Sequence, residues 1–442
     1  MLAFKEKAAR SLSWVLLGNQ AQAVLALGVQ IMAMRLLGSE AFGVYALGNA
    51  AHVILLQLVS FNFHLGLVRF RGDDDIAGTA FTLTLFQSVG YLLLFVLAFF
   101  VVSHLYPAPV RFAYLLLLPA KFIRPYSGLC RSALEANMDF GPVQASKLLG
   151  TVCRGGAIVG VCVAGGYGAL ALVVGDWAAA LSQTVLELYY SAPLLRIRFH
   201  LRGARTLLDY CSQRYFARVI SVVASQVDRL LLGTFISSAA LGHYDRARYV
   251  LDAVVKLVNG ANTQFTFSLL SALRKRQDSV VTVVRAGMAL NIAFGAFVAT
   301  GTLWFFPLAL EFFLGAKWAA TGNILPAFAL YGLVLTASTF GRHVVLAVLS
   351  PTINVYSRVF ELIVFLVGVG ILTTSGNTTP RAMALVLGLS FSAGLLLLAF
   401  RIVPAFSGFS TLLKLLLWGL AYVLCTLAIV RLESPYRAFG SL

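Results

Sequence analysis

The chain has 442 residues, of which 60% are apolar and 12% charged, with a formal net charge of +17. Apolar runs recur along its whole length, which excludes a water-soluble globular protein and makes the bilayer its solvent. The basic excess does not mark a nucleic-acid binder, because the positive residues gather in every second short loop between apolar runs.

In chain order, runs of about 20 residues fall at roughly 11–34, 42–66, 78–104, 112–133, 145–164 and 168–191. After a basic stretch they resume at about 215–236, 244–270, 281–308, 322–348, 353–373, 381–403 and 411–430. Backbone groups in hydrocarbon must be satisfied within the segment, so each run reads as a helix; barrel strands would be about 10 residues long and alternate in polarity. The first run carries Asn19, Gln20, Gln22 and Gln30 and is too long and polar for a cleaved signal peptide, so it is expected to stay as helix one.

A cytoplasmic N-terminus places Lys5, Lys7, Arg10, Arg69, Arg71, Arg131, Lys147, Arg196, Arg198, Arg202, Arg205, Arg214, Arg274, Lys275, Arg276, Arg401 and Lys414 inside, against Arg35, Arg111, Lys317 and Arg381 in outer loops and Arg431 and Arg437 on the tail. That is the positive-inside pattern through twelve spans. A thirteenth span would put the C-terminus outside; a re-entrant or interfacial helix is the alternative. The organisation expected is a six-helix bundle over 1–195, a basic cytoplasmic connector over 196–214, a second six-helix bundle over 215–405 and an extra apolar segment with tail over 406–442. Cys130, Cys153, Cys162, Cys211 and Cys425 are odd in number and show no metal-ligand spacing, so neither a disulfide framework nor a metal site is expected.

One phrase occurs twice. Arg35-Leu36-Leu37-Gly38 precedes Gly43-Val44-Tyr45, and Arg229-Leu230-Leu231-Leu232-Gly233 precedes Gly242-His243-Tyr244, with Gly38 and Gly233 195 residues apart. Both copies join two apolar runs on the outer side of this topology, which argues for two like-oriented halves and against an inverted repeat. The glycines are expected to permit a tight turn, and the tyrosines to anchor at the interface.

Charges inside spans cost about 2.5–3.5 kcal/mol each on insertion scales, so each needs a reason. Lys121 and Arg124 lie between Pro119 and Pro125, where a kink is expected, and Arg154 precedes Gly155 and Gly156. None of the three has an acid within one helical turn, and an excess of unmatched cations asks for an anionic ligand. Arg246 and Arg248 open another span, and Arg248, Asp252 and Lys256 step by four residues and share a face. Ion pairs of Asp252 with Arg248 or Lys256, and of Glu361 with Arg358, are the competing structural reading. Arg69 can receive an anionic headgroup or serve as a topology anchor beside Asp73, Asp74 and Asp75.

Embedded acids that can couple transport to an ion are Asp176, Glu187, Asp228 and Asp252; Asp176 can instead mark the interface beside Trp177, and Asp228 can pair with Arg229. Asn19, Gln20 and Gln22, with Asn259, Asn262 and Gln264, can bond sugar hydroxyls or neighbouring helices. His52 and His64 favour structural roles. Trp177, Trp304 and Trp318 read as interfacial anchors, with sugar stacking open at Trp318.

The turn Arg35-Leu36-Leu37-Gly38-Ser39-Glu40-Ala41-Phe42-Gly43-Val44-Tyr45 resembles the one after the first helix of Wzx-type bacterial polysaccharide flippases. These belong to the multidrug, oligosaccharidyl-lipid and polysaccharide exporter superfamily. Asp228 to Gly233 with Ala240 to Tyr244 is similar to the family's seventh-to-eighth helix turn, and Phe313-Leu314-Gly315-Ala316-Lys317-Trp318 resembles its outer loop between helices nine and ten. The resemblance implies an all-α polytopic fold of 12 to 14 spans, with two six-helix bundles in a V related by a pseudo-two-fold along the membrane normal around a central cationic cavity. It also implies a non-enzymatic flippase of the bacterial inner membrane that moves a polyprenyl-pyrophosphate-linked oligosaccharide, such as an O-antigen, capsule or exopolysaccharide unit, by alternating access. No cofactor is expected beyond H+ or Na+ coupling or dependence on membrane potential; the partners expected are the lipid-linked glycan, membrane lipids and a polysaccharide polymerase complex. Flipping of the peptidoglycan lipid precursor, or drug-cation antiport, stays open as another cargo. A glycan polymerase or ligase is the rival of another class, disfavoured because the outer loops are short.

Overall fold

The computed structural model describes residues 2–70, 73–165, 168–192, 199–273, 277–348, 351–376 and 378–402, and within helices it leaves undescribed the side chains of 2–13, 15–16, 74, 213–214, 257–273, 277–281, 346–348, 351 and 399–402. The segment 411–430, Cys425 and the side chains of Asn259, Asn262 and Gln264 therefore lie outside the described residues. The described chain is helical throughout, as a lipid-embedded backbone requires. Eight of its helices are long and apolar enough to cross a membrane. The chain divides into two compact units, Met1–Thr234 and Phe235–Leu442.

The first unit contains α1 (Leu2–Leu36), α2 (Ser39–Val59), the short α3 (His64–Arg69), α4 (Asp74–Leu105), α5 (Ala108–Ala136), α6 (Phe140–Val163) and α7 (Ala169–Ser191). Helix α8 (Leu201–Phe235) completes it, so residues 201–214 of the basic connector are helical. Asp73 caps α4 by accepting from the Asp75 and Ile76 amides at 3.1 Å, and Asp75 pairs with His200. Helix α5 is central, packing on α2, α3, α4 and α7, while α6 packs on α1 and α7. Where α3 meets its neighbours, Phe63, Leu67, Ile76, Leu129, Leu207 and Cys211 form one buried apolar cluster, which ties α8 to the N-terminal end of α4 and the C-terminal part of α5.

The second unit contains α9 (Ser238–Leu273), α10 (Gln277–Thr300), α11 (Phe306–Leu314), α12 (Ala319–Ile324), α13 (Ala329–Val348), α14 (Pro351–Thr374) and α15 (Pro380–Ile402). Between α10 and α11 the residues Gly301–Phe305 form a π turn, with the Phe306 amide bonded to the Gly301 carbonyl. Pro307 follows immediately; it has no amide to offer and its ring crowds the preceding turn, so the helix widens there instead of breaking. Helix α13 packs on α9, α10 and α15. The approach of α10 is close enough that a Cβ on Gly295 would stand 2.6 Å from the Leu333 carbonyl oxygen.

The repeated phrase does not do what its composition suggests. Gly38 has φ −85° and ψ 167°, a conformation open to any residue, and Gly233 lies inside α8 with Leu47 against it. Tyr45 and Tyr244 are buried, the latter packed on Phe328 at 5.1 Å, so both are core residues of their units and not interfacial anchors. Trp318 is likewise buried, edge-on to His243 at 5.5 Å, which removes it as a sugar-stacking surface. Gly315, with φ +79°, ends α11 where a side chain would be strained.

Candidate functional site

Helix α5 carries Pro119 and Pro125 in its interior. Carbonyls in the turn before Pro119 take side-chain donors: the Trp177 indole donates to Leu116 O at 2.7 Å, and His52 Nε2 donates to Tyr114 O at 2.7 Å. Because a carbonyl only accepts, His52 is the Nε2–H tautomer, and its Nδ1 accepts from the Tyr91 hydroxyl at 2.5 Å. His52 is thus a satisfied core residue.

Just beyond this turn, Lys121 is buried and donates to Asn49 Oδ1 at 2.5 Å and to Asp176 Oδ2 at 3.3 Å. Arg154 reaches Asp176 Oδ1 at 3.3 Å, and the Tyr45 hydroxyl donates to Asp176 Oδ2 at 2.7 Å. Asp176 does not mark an interface: it is buried as the counter-ion of α5 and α6. Lys121 and Arg154 are consequently matched, by an acid on a different helix that a search along their own helices does not find. Arg124 differs. It is exposed, with no hydrogen bond or ion pair among the described residues, and adds a third positive charge to the two that pair with the single carboxylate of Asp176.

Beside Lys121 and Arg124 lies a cavity of about 370 Å³ walled by α2, the α2–α3 turn, α4, α5 and α8. Arg218 of α8 and His64 also line it, together with the amides of Gln57 and Gln87. Its lining contains no carboxylate. Arg218 is exposed and, like Arg124, has no hydrogen bond or ion pair among the described residues. Sequence reading missed it because it sits among many basic residues near the connector; its spacing of three from Tyr215, which holds α8 against α2, is the signal that marks it.

A second buried acid organises the same unit. Glu187 accepts from Ser127 Oγ at 2.5 Å, from Ser146 Oγ at 2.8 Å and from Arg131 Nε and Nη2 at 3.0 and 2.9 Å, joining α5, α6 and α7. The second unit repeats the device. Ser338 and Arg342 on α13 keep the spacing of Ser127 and Arg131, and Arg342 meets buried Glu361 of α14 at 2.5 Å. Arg358 also reaches Glu361, at 2.9 Å, as the i,i+3 spacing predicts, and both guanidiniums lie over Phe391 of α15.

At the start of α9, Arg246 pairs with its neighbour Asp245 and lies over Tyr249 at 4.9 Å. Arg248 is buried 3.8 Å from Asp252, which accepts from the Tyr331 hydroxyl at 3.2 Å. Lys256, a turn further on, is exposed, so the three-residue face is divided. Asp228 is buried in α8, while Arg229 donates to Ser225 O and Gln226 Oε1. Arg69 is exposed at the end of α3, and Asn19 and Gln20 are exposed on α1.

A sequence profile described as polysaccharide biosynthesis protein matches residues 31–322, about two thirds of the chain. The teichuronic acid biosynthesis protein TuaB of Bacillus subtilis strain 168 is 25% identical over 150 residues, 34% of this chain and 31% of that protein. The match to this curated relative thus spans about a third of the relative's length. Among solved structures, the lipid II flippase MurJ in an inward closed conformation aligns with a TM-score of 0.71 at 12% identity, over 97% of this chain and 99% of that one. An inward-facing multidrug resistance transporter of the MATE family, in the MOP superfamily, aligns with a TM-score of 0.65 at 14% identity, over 92% of this chain and 95% of that one. At such identities the likeness is one of fold.

Proposed function

The chain belongs to the polysaccharide biosynthesis protein family, and from that premise we propose that it is a flippase for a polyprenyl-pyrophosphate-linked oligosaccharide of the bacterial inner membrane. The observation that carries this reading is the cationic excess of the first unit, where Lys121 and Arg154 share one acid and Arg124 has no ion pair among the described residues, beside a cavity without carboxylates. A pyrophosphate is the anion such a group suits, because guanidinium grips it with paired hydrogen bonds. The glycan needs no chemical change to cross, so binding from the inside, alternating access and release outside suffice, with no catalytic residue.

The cargo of the structural neighbour MurJ, lipid II, also bears a pyrophosphate, and the peptidoglycan precursor is the second reading that this observation favours. A drug cation is disfavoured by the same cationic excess. Asp176, held by two cations and a hydroxyl, is a fixed counter-ion. Asp228 and Asp252 are then the acids to test for H+ or Na+ coupling, with the membrane potential alone as the remaining driving force. Arg69, Arg246, Arg248 and Lys256 are secondary headgroup contacts in this reading, and a polysaccharide polymerase complex is the partner that takes the glycan onward.

Deletion of the gene tests the proposal. Surface glycan should fall, lipid-linked repeat units should accumulate in the inner membrane, and cell-wall synthesis should continue. Normal surface glycan in the deletion would sink the proposal, and arrested wall synthesis would move the cargo to the peptidoglycan precursor.

A further inference from the structure

The cavity between α2, α4, α5 and α8 is lined by cations and an amide that the pairing around Asp176 does not use. Two guanidiniums, Arg124 from α5 and Arg218 from α8, reach it from different helices without a hydrogen bond or ion pair among the described residues. Buried Lys121 closes one side and His64 another. The amide nitrogen of Gln87, also in the lining, is buried with no hydrogen-bond partner among the described residues. Val53, Leu56 and Val222 give the cavity an apolar flank. A buried donor without a partner costs about 1–3 kcal/mol, and both guanidiniums line a cavity that holds no carboxylate, so this is an arrangement that an anionic acceptor would complete.

The walls are built to hold that geometry. The Tyr215 hydroxyl donates to the carbonyl of Leu58 at the end of α2, and the Tyr215 ring stacks on Phe61 at 4.4 Å. Arg218 is one helical turn further along α8 on the same side. The α2–α3 turn is itself braced, with the Asn62 amide bonded to Ser60 Oγ at 3.3 Å and the Gln57 amide to Ser60 O at 3.2 Å. Helix α8 therefore brings Arg218 to a fixed place against α2, within the same cavity as Arg124.

We propose that this cavity is a diphosphate-binding site, in which Arg124 and Arg218 clamp the two phosphates of a lipid-linked headgroup, Gln87 donates to it and the apolar flank takes the first carbons of the lipid. Its volume of about 370 Å³ falls in the range of small-ligand sites. The assignment rests on the flippase reading and deepens it, by naming the residues that recognise the cargo and placing one of them on α8.

The test uses the full-length protein in phosphatidylcholine nanodiscs, with geranyl pyrophosphate as the probe and calorimetry or intrinsic fluorescence as the readout. Geranyl monophosphate, inorganic pyrophosphate and nanodiscs enriched in phosphatidylglycerol form the comparison arms. Arg124→Gln and Arg218→Gln should each weaken geranyl pyrophosphate binding about tenfold or more, as loss of a charge-assisted hydrogen bond implies, and Arg202→Gln should leave it unchanged. Melting temperatures equal to wild type would show that the variants fold, as expected for exposed side chains without ion pairs. The site is overturned by wild-type affinity in both variants, by equal binding of the monophosphate or of inorganic pyrophosphate, or by displacement with phosphatidylglycerol, which would assign the cavity to bulk lipid. Unchanged probe binding in the variants, with surface glycan still lost in the gene deletion, retires this site alone and leaves the flippase reading standing.

Discussion

Asp176→Asn is the sharpest structural perturbation, because it is nearly isosteric and removes one charge from a buried cluster. Lys121 is 3% exposed and Asp176 1%, whereas Arg154 is 30% exposed. Removing one member of a buried pair costs about 3–5 kcal/mol, mostly from the charge left behind; Arg154 can turn to water, so the burden falls on Lys121. The variant should therefore lose about 3–4 kcal/mol of stability, and Lys121→Met a similar amount. Asp176→Asn/Lys121→Met removes both charges and should lose far less than the sum, with a coupling of roughly 2–3 kcal/mol. Unfolding in mixed detergent and dodecyl sulfate micelles, followed by tryptophan fluorescence, gives the four corners of the cycle. Additive losses would refute the counter-ion role, and a stable Asp176→Asn that lost only transport would return this acid to the coupling candidates.

Three further outcomes follow from the same packing. Tyr45→Phe should cost about 1.5–3 kcal/mol by deleting the hydroxyl that donates to the charged Asp176, and only about 0.5–1.5 kcal/mol in an Asp176→Asn background, where the acceptor is a neutral amide oxygen, measured by the same unfolding. Glu187→Gln should destabilise the first unit by about 2–3 kcal/mol, since Arg131 keeps hydrogen bonds to the amide oxygen but loses its charge partner; a thermal melt in detergent reads the drop. Gly394→Ala should cost about 1–3 kcal/mol and disturb both Arg342 and Arg358, because its Cβ would stand 2.1–2.5 Å from the Glu361 carboxyl and Cγ atoms, whereas Gly233→Ala meets mainly the movable tip of Leu47 and should cost less. Melting midpoints of the two alanine variants rank them directly.

The helical, lipid-facing character of the chain was legible because lipid enforces it: the apolar runs lie mainly on helices among the described residues, and eight helices are long and apolar enough to cross a membrane. The Arg358–Glu361 pair was legible too, since i,i+3 spacing is local. The pairing of Lys121 with Asp176 was not, because the acid is 55 residues away on α7 and only packing joins them. Arg342 escaped for the same reason, though its match to Arg131 in spacing from a serine was a signal on the chain. Tyr45 and Trp318 misled by type: amphipathic rings suit an interface, but here Tyr45 is buried with its hydroxyl on Asp176 and Trp318 is buried edge-on to His243. Gly38 misled by its place at a helix junction, where its φ of −85° needs no glycine.

The central claim, that this chain moves a lipid-linked glycan by holding its diphosphate, is tested most directly in liposomes reconstituted with the full-length protein and a fluorescent polyprenyl-pyrophosphate-linked oligosaccharide. A membrane-impermeant quencher added outside reports the share of headgroups in each leaflet. Wild-type protein should equilibrate the headgroups between leaflets, while Arg124→Gln/Arg218→Gln, equally stable and equally reconstituted, should leave them where they started. Equilibration by wild type no faster than in protein-free liposomes, under an imposed membrane potential as well as proton and sodium gradients, would contradict the account.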